Sequence, residues 1–276
     1  MRNTTWAILV ALAALWVGGA VAAENKVMRY VRVEHQGSTF YGLLESETIH
    51  RLAGGLFDPP ERTGMSVALS DVKFLPPAEP TKVLAVGLNF HSHAGDSGAR
   101  QPELFAKLPS AMVGHDGVIR LPPGAGNPHY EGELVVVIGK RAKNVSVADA
   151  PSYVFGVTAG NDVSERGWQS SDLQWLRAKA SDSFGPVGPA IATGLDYKDL
   201  LIETKLNGVV QQSESSKFLI HNVDEIVSFT SRYITLEPGD MIFCGTPGRT
   251  RPMKPGDVVE ITIQGVGTLR NKVVAE

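Results

Sequence analysis

Apolar positions along this chain recur at every second residue or in short unbroken runs. That pattern predicts strands rather than long helices. From Met28 to Pro76, "MRYVRVEHQGSTFYGLLESETIHRL" alternates polar and apolar around a Gly-containing turn, as a meander does. "KVLAVGLNF", "ELVVVIGKR" and "YVFGVTAGND" are apolar runs closed by Gly, Asn or charged residues, and they read as buried strands. "VVEITIQ", 258–264, places Val259, Ile261 and Ile263 on one face and Val258, Glu260 and Thr262 on the other. Two turns share one design, Glu237-Pro238-Gly239-Asp240 and Lys254-Pro255-Gly256-Asp257. In each, Pro presets the first turn dihedral and Gly accepts the positive one after it. A single good helix begins where Asn222 can cap it and Glu225 follows three residues on, with Ile226, Phe229, Tyr233 and Ile234 as its apolar stripe. The Pro-rich joint "LPPAEPTK", 75–82, divides a small N-terminal domain, 23–76, from a larger one, 77–276.

Composition narrows the functional classes. The chain has 276 residues, is 43% hydrophobic and 20% charged, and carries a formal net charge of -3 with no block of like charges. A nucleic-acid-binding surface is therefore not expected. The one cysteine, Cys244 in "MIFCGTP", has no internal disulfide partner and reads as a small packed hydrophobe. The first residues differ from the rest. Arg2 is followed by an apolar run from Trp6 to Val17, then Gly18-Gly19 and the small residues Ala20-Val21-Ala22-Ala23. This predicts a secretory signal over 1–22, cut after Ala22 or one residue later, and hence an exported, periplasmic protein with no membrane association once the leader is removed. The alternative is an uncleaved anchor, although the run falls short of the ~20 residues a spanning helix needs.

The candidate chemistry starts at "HYEGELVVVIGKR", 129–141. On a strand, Glu131 and Glu133 project to the same side, roughly 6.6 Å apart at their Cα atoms. Two carboxylates so close repel unless a cation lies between them, and their apolar context makes unpaired burial costly. Spacing alone favours a solvated strand end, because Glu-x-Glu is a common pattern. "GVTAGNDVSERGWQ" supplies a third carboxylate, Asp162, at the end of another apolar segment. If the two strands are neighbours, three acidic oxygens converge. An oxygen-only set suits Mg²⁺, Mn²⁺ or Ca²⁺ rather than structural zinc.

Seven blocks in order carry a family resemblance: "KVLAVGLNFHSHAGD", "HYEGELVVVIGKR", "GVTAGNDVSERGWQ", "KASDSFGPVGPAI", "KLNGVVQQ", "LEPGDMIFCGTP" and "MKPGDVVEITIQGVGTLRNKVV". Through them the chain resembles the fumarylacetoacetate hydrolase family over nearly all of its length after the leader. The resemblance implies a mainly β, mixed α+β molecule: a β-roll or β-sandwich catalytic domain with a small N-terminal α+β domain, working as a homodimer. It implies Glu131, Glu133 and Asp162 as ligands of a divalent metal, Mg²⁺ or one of its substitutes, and a small oxo-acid substrate chelated to that metal. Members mostly hydrolyse a C–C bond in a diketo acid such as an acylpyruvate. Others are lyases, including ureidoglycolate lyase-like enzymes, or decarboxylases or isomerases.

Further roles follow residue by residue from the same resemblance. Lys179 in "RAKASD" matches a lysine beside the metal, where it would stabilise oxyanion charge. His93 and Asp96 in "NFHSHAGD" match a His–Glu pair that activates water; three apart on one helical turn, they would face the same way. Asp96 is one methylene shorter than the usual Glu. His91 is a nearby second histidine, read as solvent-facing. Arg166 and Gln169 in "SERGWQ" and Gln212 after "LNG" match substrate-shell positions, and Gly245 and Thr246 match a segment that meets the substrate carboxylate. Lys107 and Ser110 in "AKLPSA" match a segment next to the site. Beyond "GTP" the chain departs from the family's Gly-Thr-Pro-x-Gly-Val-Gly and reads "GTPGRTRPMKPGD". There Arg249 and Arg251 are either a solvated loop or a selector for a second acidic group. The leading expectation is an exported metal-dependent C–C hydrolase; an exported binding protein that keeps the fold but not turnover is the alternative from another class.

Overall fold

The computed structural model describes residues 26–276, so the leader expected over 1–22 lies outside the described residues. The molecule is mainly β. Among the described residues, the largest sheet has twelve strands. At its centre Gly132–Ile138 runs antiparallel to Val154–Asn161, with Gly132 opposite Asn161 and Leu134 opposite Ala159. Gly185–Thr193 continues the sheet on the far side of Val154–Asn161. On the other side come Met241–Phe243, Val83–Gly87 and Glu103–Lys107.

The N-terminal meander does not stand apart. Met28–His35 pairs with Gly185–Thr193, and Ser38–Glu45, Thr48–Leu52 and Arg62–Ala68 extend the same sheet outward. Among the described residues, the helical part of this segment is the three-residue 3-10 turn Leu69–Asp71. A second sheet of five strands packs over the first, in the order Val209–Ser215, Leu201–Leu206, Val258–Ile263, Gly267–Ala275, Val118–Leu121.

The central strand explains why apolar runs here are unbroken. Leu134, Val136 and Ile138 pack with Ile202, Val259, Ile261 and Ile263 of the second sheet. Val135 and Val137 pack on the opposite side with Tyr30, Leu43, Phe243 and Val187. Both faces are covered, so alternation disappears from the sequence. Where only one face is covered it reappears, and Val259, Ile261 and Ile263 are the buried positions of their strand. Gly132 packs directly against the second sheet. A Cβ there would lie 1.9 Å from Thr204 Oγ1.

Both Pro-Gly-Asp turns form as expected, with Gly239 at φ 91° and Gly256 at φ 98°. Asp240 and Asp257 close them by accepting the Glu237 and Lys254 backbone N–H groups at 2.7 and 2.9 Å. The helix Val223–Tyr233 carries the predicted capping box between Asn222 and Glu225. Its buried face differs from the expected stripe. Val223, Ile226, Val227 and Thr230 point inward, while Phe229 and Tyr233 pair their rings at 5.3 Å on the outer side and Tyr233 is 68% exposed. The two aromatic rings cover each other, and small β-branched residues fit the gap beneath the helix.

Candidate metal centre

Period two and strand register assemble the centre. Glu131 and Glu133 lie on the same side of their strand as Val135 and Val137, at its N-terminal end. The register that sets Gly132 opposite Asn161 brings Asp162 beside Glu131, and the Asp162 N–H donates to the Glu131 carbonyl at 2.9 Å. The side chains converge as a result: one carboxylate oxygen from each of Glu131, Glu133 and Asp162 lies within 4.8 Å of the others. All three residues are buried.

Cations surround them. Lys179 Nζ donates to Glu131 Oε2 at 2.6 Å and to Asp162 Oδ2 at 2.5 Å. Lys107, with no exposed side-chain surface, donates to Asp162 Oδ1 at 2.6 Å and to the Lys179 carbonyl. Arg166 pairs with Glu131 Oε1, and Ser164 Oγ donates to Glu131 Oε2 at 3.1 Å. Burial raises the Glu131 carboxyl, but Lys179, Arg166 and His93 outweigh it and hold the group well below the usual carboxylate range. Glu133 is the reverse case. Burial, then Asp162 and Glu131, push it well up, and only the Gly245 N–H, at 2.7 Å, donates to it among the described residues. A buried carboxylate with one hydrogen bond and two carboxylate neighbours is a group that a divalent cation would relieve. The donor set is oxygen-only, which fits a hard cation.

The remaining expected residues divide into two groups. His93, Arg166, Gln169, Lys179 and Thr246 line the cleft with the three carboxylates. Arg166 Nη1 donates to Gln169 Oε1 at 2.7 Å, which leaves the Gln169 amide N–H groups for another oxygen. The expected His93–Asp96 pair does not form. His93 Nδ1 meets the Gly248 carbonyl at 2.6 Å, and Asp96 is exposed, in a 3-10 turn beyond the end of the one-turn helix His91–Ala94. The helix ends at Ala94, so three residues along the chain is not one helical turn here.

Gln212, Gly245 and Thr246 are committed internally. Gln212 donates to Thr246 Oγ1 at 2.9 Å and to the Pro247 carbonyl, and Thr246 donates to the Gly132 carbonyl at 2.9 Å. Together they strap the "GTP" loop to the central strand, so the Gly245 N–H and the Thr246 hydroxyl are already occupied. Gly245 adopts φ +106°, which aims its N–H at Glu133. Ser110 is exposed and lines a different cavity, with Arg120 and Ser183, so it does not join Lys107 at the site. Arg249 and Arg251 are exposed and line no part of the cleft; His91 is exposed as expected. Cys244 is fully buried as expected, and burial, helped by Glu133, pushes its thiol up.

Sequence reasoning missed Ser164 and Thr250. Thr250 Oγ1 accepts from Arg166 Nη2 at 3.1 Å and lies 2.8 Å from His129 Nδ1, whose Nε2 meets Asn127 Oδ1 at 3.1 Å. The one available signal was the loop's departure after "GTP".

Comparison with known proteins agrees with this geometry. Residues 82–274 match the family model described as Fumarylacetoacetate (FAA) hydrolase C-terminal, and residues 28–77 match Rv2993c-like, N-terminal. The chain belongs to the fumarylacetoacetate hydrolase family. Its relatives include Protein Rv2993c of Mycobacterium tuberculosis, 44% identical over 82% of this chain and 88% of that protein. Another is the mitochondrial oxaloacetate tautomerase FAHD2A of Bos taurus, 39% identical over 74% of this chain and 70% of that one. Among solved structures of the family, a 2-hydroxyhepta-2,4-diene-1,7-dioate isomerase from Mycobacterium marinum superposes with a TM-score of 0.85 at 42% identity, covering 90% of this chain and 99% of that one. A maleylpyruvate hydrolase from Sphingobium sp. SYK-6, solved with manganese (II) ion and pyruvate, superposes with a TM-score of 0.77 at 26% identity over 90% and 99% of the two chains. Isomerase, tautomerase and hydrolase activities all occur in this family, and a buried acidic triad for a divalent metal is consistent with it.

Proposed function

We propose that this chain is a divalent-metal-dependent enzyme that shifts a proton within a 2-oxo acid, as in keto–enol or double-bond isomerisation. The observation that carries the reading is the setting of His93. A carbonyl only accepts, so the Gly248 carbonyl at 2.6 Å holds the proton on Nδ1 and leaves the lone pair on Nε2, which lies 3.7 Å from Glu131 Oε1. No carboxylate accepts from Nδ1; the neutral Gly248 carbonyl stands where a His–carboxylate pair for activating water would place its acid. Such a base is suited to a carbon acid whose proton is already acidic. A divalent cation held by Glu131, Glu133 and Asp162 would supply that acidity, by drawing electron density from the substrate carbonyl.

The protein's own groups do the rest. His93 Nε2 takes a proton from the carbon beside the carbonyl and returns it to oxygen or to a more distant carbon. One C–H bond breaks, one O–H or new C–H bond forms, the π bond shifts between carbon and oxygen or along the carbons, and no water is consumed. Lys179 offers positive charge to the oxygen that becomes anionic. Gln169 offers amide N–H groups to the substrate, and Arg166 adds charge beside it. The tautomerase and isomerase activities of relatives near 40% identity support this choice.

C–C hydrolysis, expected from the sequence, is the second reading. The likeness to maleylpyruvate hydrolase favours it. It would require Asp96 to leave solvent and engage His93. One experiment separates the two. With Mg²⁺ or Mn²⁺ in D₂O, 2-oxo and 2,4-dioxo acids are followed by NMR. Metal-dependent exchange at the carbon beside the carbonyl, without cleavage products, is expected. Cleavage at a rate equal to or above exchange would make the chain a hydrolase, and neither process would make it a binding protein.

Export and homodimer formation belong to the same proposal. Intact mass of the protein recovered from a periplasmic extract is expected to match a chain starting at Ala23 or Glu24, and sedimentation is expected to give twice the chain mass. An intact leader or a monomer would remove the corresponding statement.

A further inference from the structure

The space around the three carboxylates is small, about 70 Å³. At ~10–15 Å³ for each water held it has room for only a few small groups, such as the head of an oxo acid. A second cavity of about 440 Å³ lies next to it, and Leu88, Phe105 and Trp175 line both. Phe105 is the partition. Lys179 Nζ lies 4.9 Å from its ring centroid, on the carboxylate side, and its ring meets Trp175 edge-on at 5.5 Å. Gly87 sits at the junction, where an added Cβ would touch Trp175 at 3.5 Å and Phe105 at 3.9 Å.

The outer cavity has a different chemistry from the inner one. Leu88, Leu104, Phe105, Leu173 and Trp175 make up most of its wall, with Ser97 and Gln174 as neutral polar lining. Among the described residues Glu103 is its one charged lining residue, and no Lys, Arg or His lines it. Leu173 is 96% exposed and Leu88 is 39% exposed, so apolar surface waits there uncovered. Arg249 and Arg251, which sequence reasoning offered as partners for a second acidic group, line neither cavity.

The geometry points to a substrate in which the oxo-acid head, held at the carboxylates, continues into an uncharged alkyl or aryl tail lodged in the outer cavity. This rests on the proposed function for the placing of the head. A tail ending in a carboxylate would meet Glu103 with no cation to pair it. A tail of methylenes would gain about fourfold in affinity for each one buried. The diacid substrates in the names of relatives are therefore not the ones this cavity selects.

Calorimetric titration of the full protein loaded with Mg²⁺ tests this. The ligands are pyruvate, 2-oxobutanoate, 2-oxohexanoate and its six-carbon diacid counterpart 2-oxoadipate. Affinity is expected to rise about fourfold per methylene to 2-oxohexanoate, with 2-oxoadipate at least tenfold weaker than 2-oxohexanoate. At the fully exposed position, Leu173→Glu should widen that gap and Leu173→Lys should narrow it, and neither change threatens the fold. Glu103→Gln should narrow it as well. Equal affinity along the series, or tighter binding of the diacid, overturns the inference while leaving the proposed function standing. Failure of pyruvate itself to bind the metal-loaded protein overturns both.

Discussion

Glu131 and Glu133 are two residues apart, yet they occupy opposite electrostatic positions. Glu131 anchors Lys179, Arg166 and Ser164, whereas Glu133 takes a single backbone N–H. Removing Glu131 takes one of the two carboxylates from buried Lys179 and the one carboxylate that Arg166 pairs with, and breaking such buried pairing costs up to about 3–5 kcal/mol. Glu131→Ala is therefore expected to lower thermal stability strongly as well as metal binding. Glu133→Gln keeps the acceptor for Gly245 and the side-chain shape. It is expected to unfold within a few degrees of wild type while losing calorimetric Mn²⁺ binding, and a variant that still bound Mn²⁺ would remove Glu133 from the ligand set. Thr250 offers a second residue-scale test. Thr250→Val deletes the hydroxyl that accepts from Arg166, with an expected cost of about 1 kcal/mol, or roughly fivefold in KM. Thr250→Ser should restore the value, and equal KM in all three proteins would show that Thr250 does not position Arg166.

Strands set where these side chains can meet. Glu131, Glu133 and Asp162 converge because Gly132 pairs with Asn161, and a slip of one residue would turn both glutamates toward the second sheet. Gly132 holds that register against the five-stranded sheet. Gly132→Ala is expected to cost about 1–3 kcal/mol through overpacking on Thr204. With Thr204→Ala added, the 1.9 Å clash is gone and the new methyl is left with Ile261 Cγ1 and the Cβ at position 204, both at 3.3 Å. The double variant should then recover much of the loss, because the clash is removed and Thr204 Oγ1, a buried hydroxyl with no hydrogen-bond partner, disappears with it. Strict additivity in a double-mutant cycle by thermal unfolding would show that the two residues do not press on each other.

On the scale of the whole molecule, metal binding should be coupled to stability. The three carboxylates come from two strand ends that are brought together only in the folded chain. Saturation with Mn²⁺ at 100 times its Kd is expected to add about 2.7 kcal/mol to unfolding. A chelator should reverse the gain, and Glu133→Gln should show none. An unchanged melting temperature with and without Mn²⁺ would contradict a shared site. The N-terminal meander takes part in the same body, since Tyr30 and Leu43 pack with Val135 and Phe243 behind the carboxylate strand. A sequence boundary near residue 76 thus divides two family segments while one sheet runs through both.

Much of this was legible from one dimension, and the physical reason is that strands and turns are local. The period-two pattern, the Pro-Gly-Asp turns, the Asn222 cap and the same-side projection of Glu131 and Glu133 depend on residues within a few positions of each other. The oxygen-only donor set was equally readable, because residue type fixes which metals a site suits. Folding in three dimensions decided what separate segments do to one another. It placed Asp162 beside Glu131 and Lys107 beneath both, set Gly248 rather than Asp96 on His93, tied Gln212 and Thr246 to the central strand, and left Arg249 and Arg251 in solvent. Those outcomes turn on contacts between residues that lie tens to more than a hundred positions apart. Chain spacing carries no information about them until the sheet register and the loop paths are fixed.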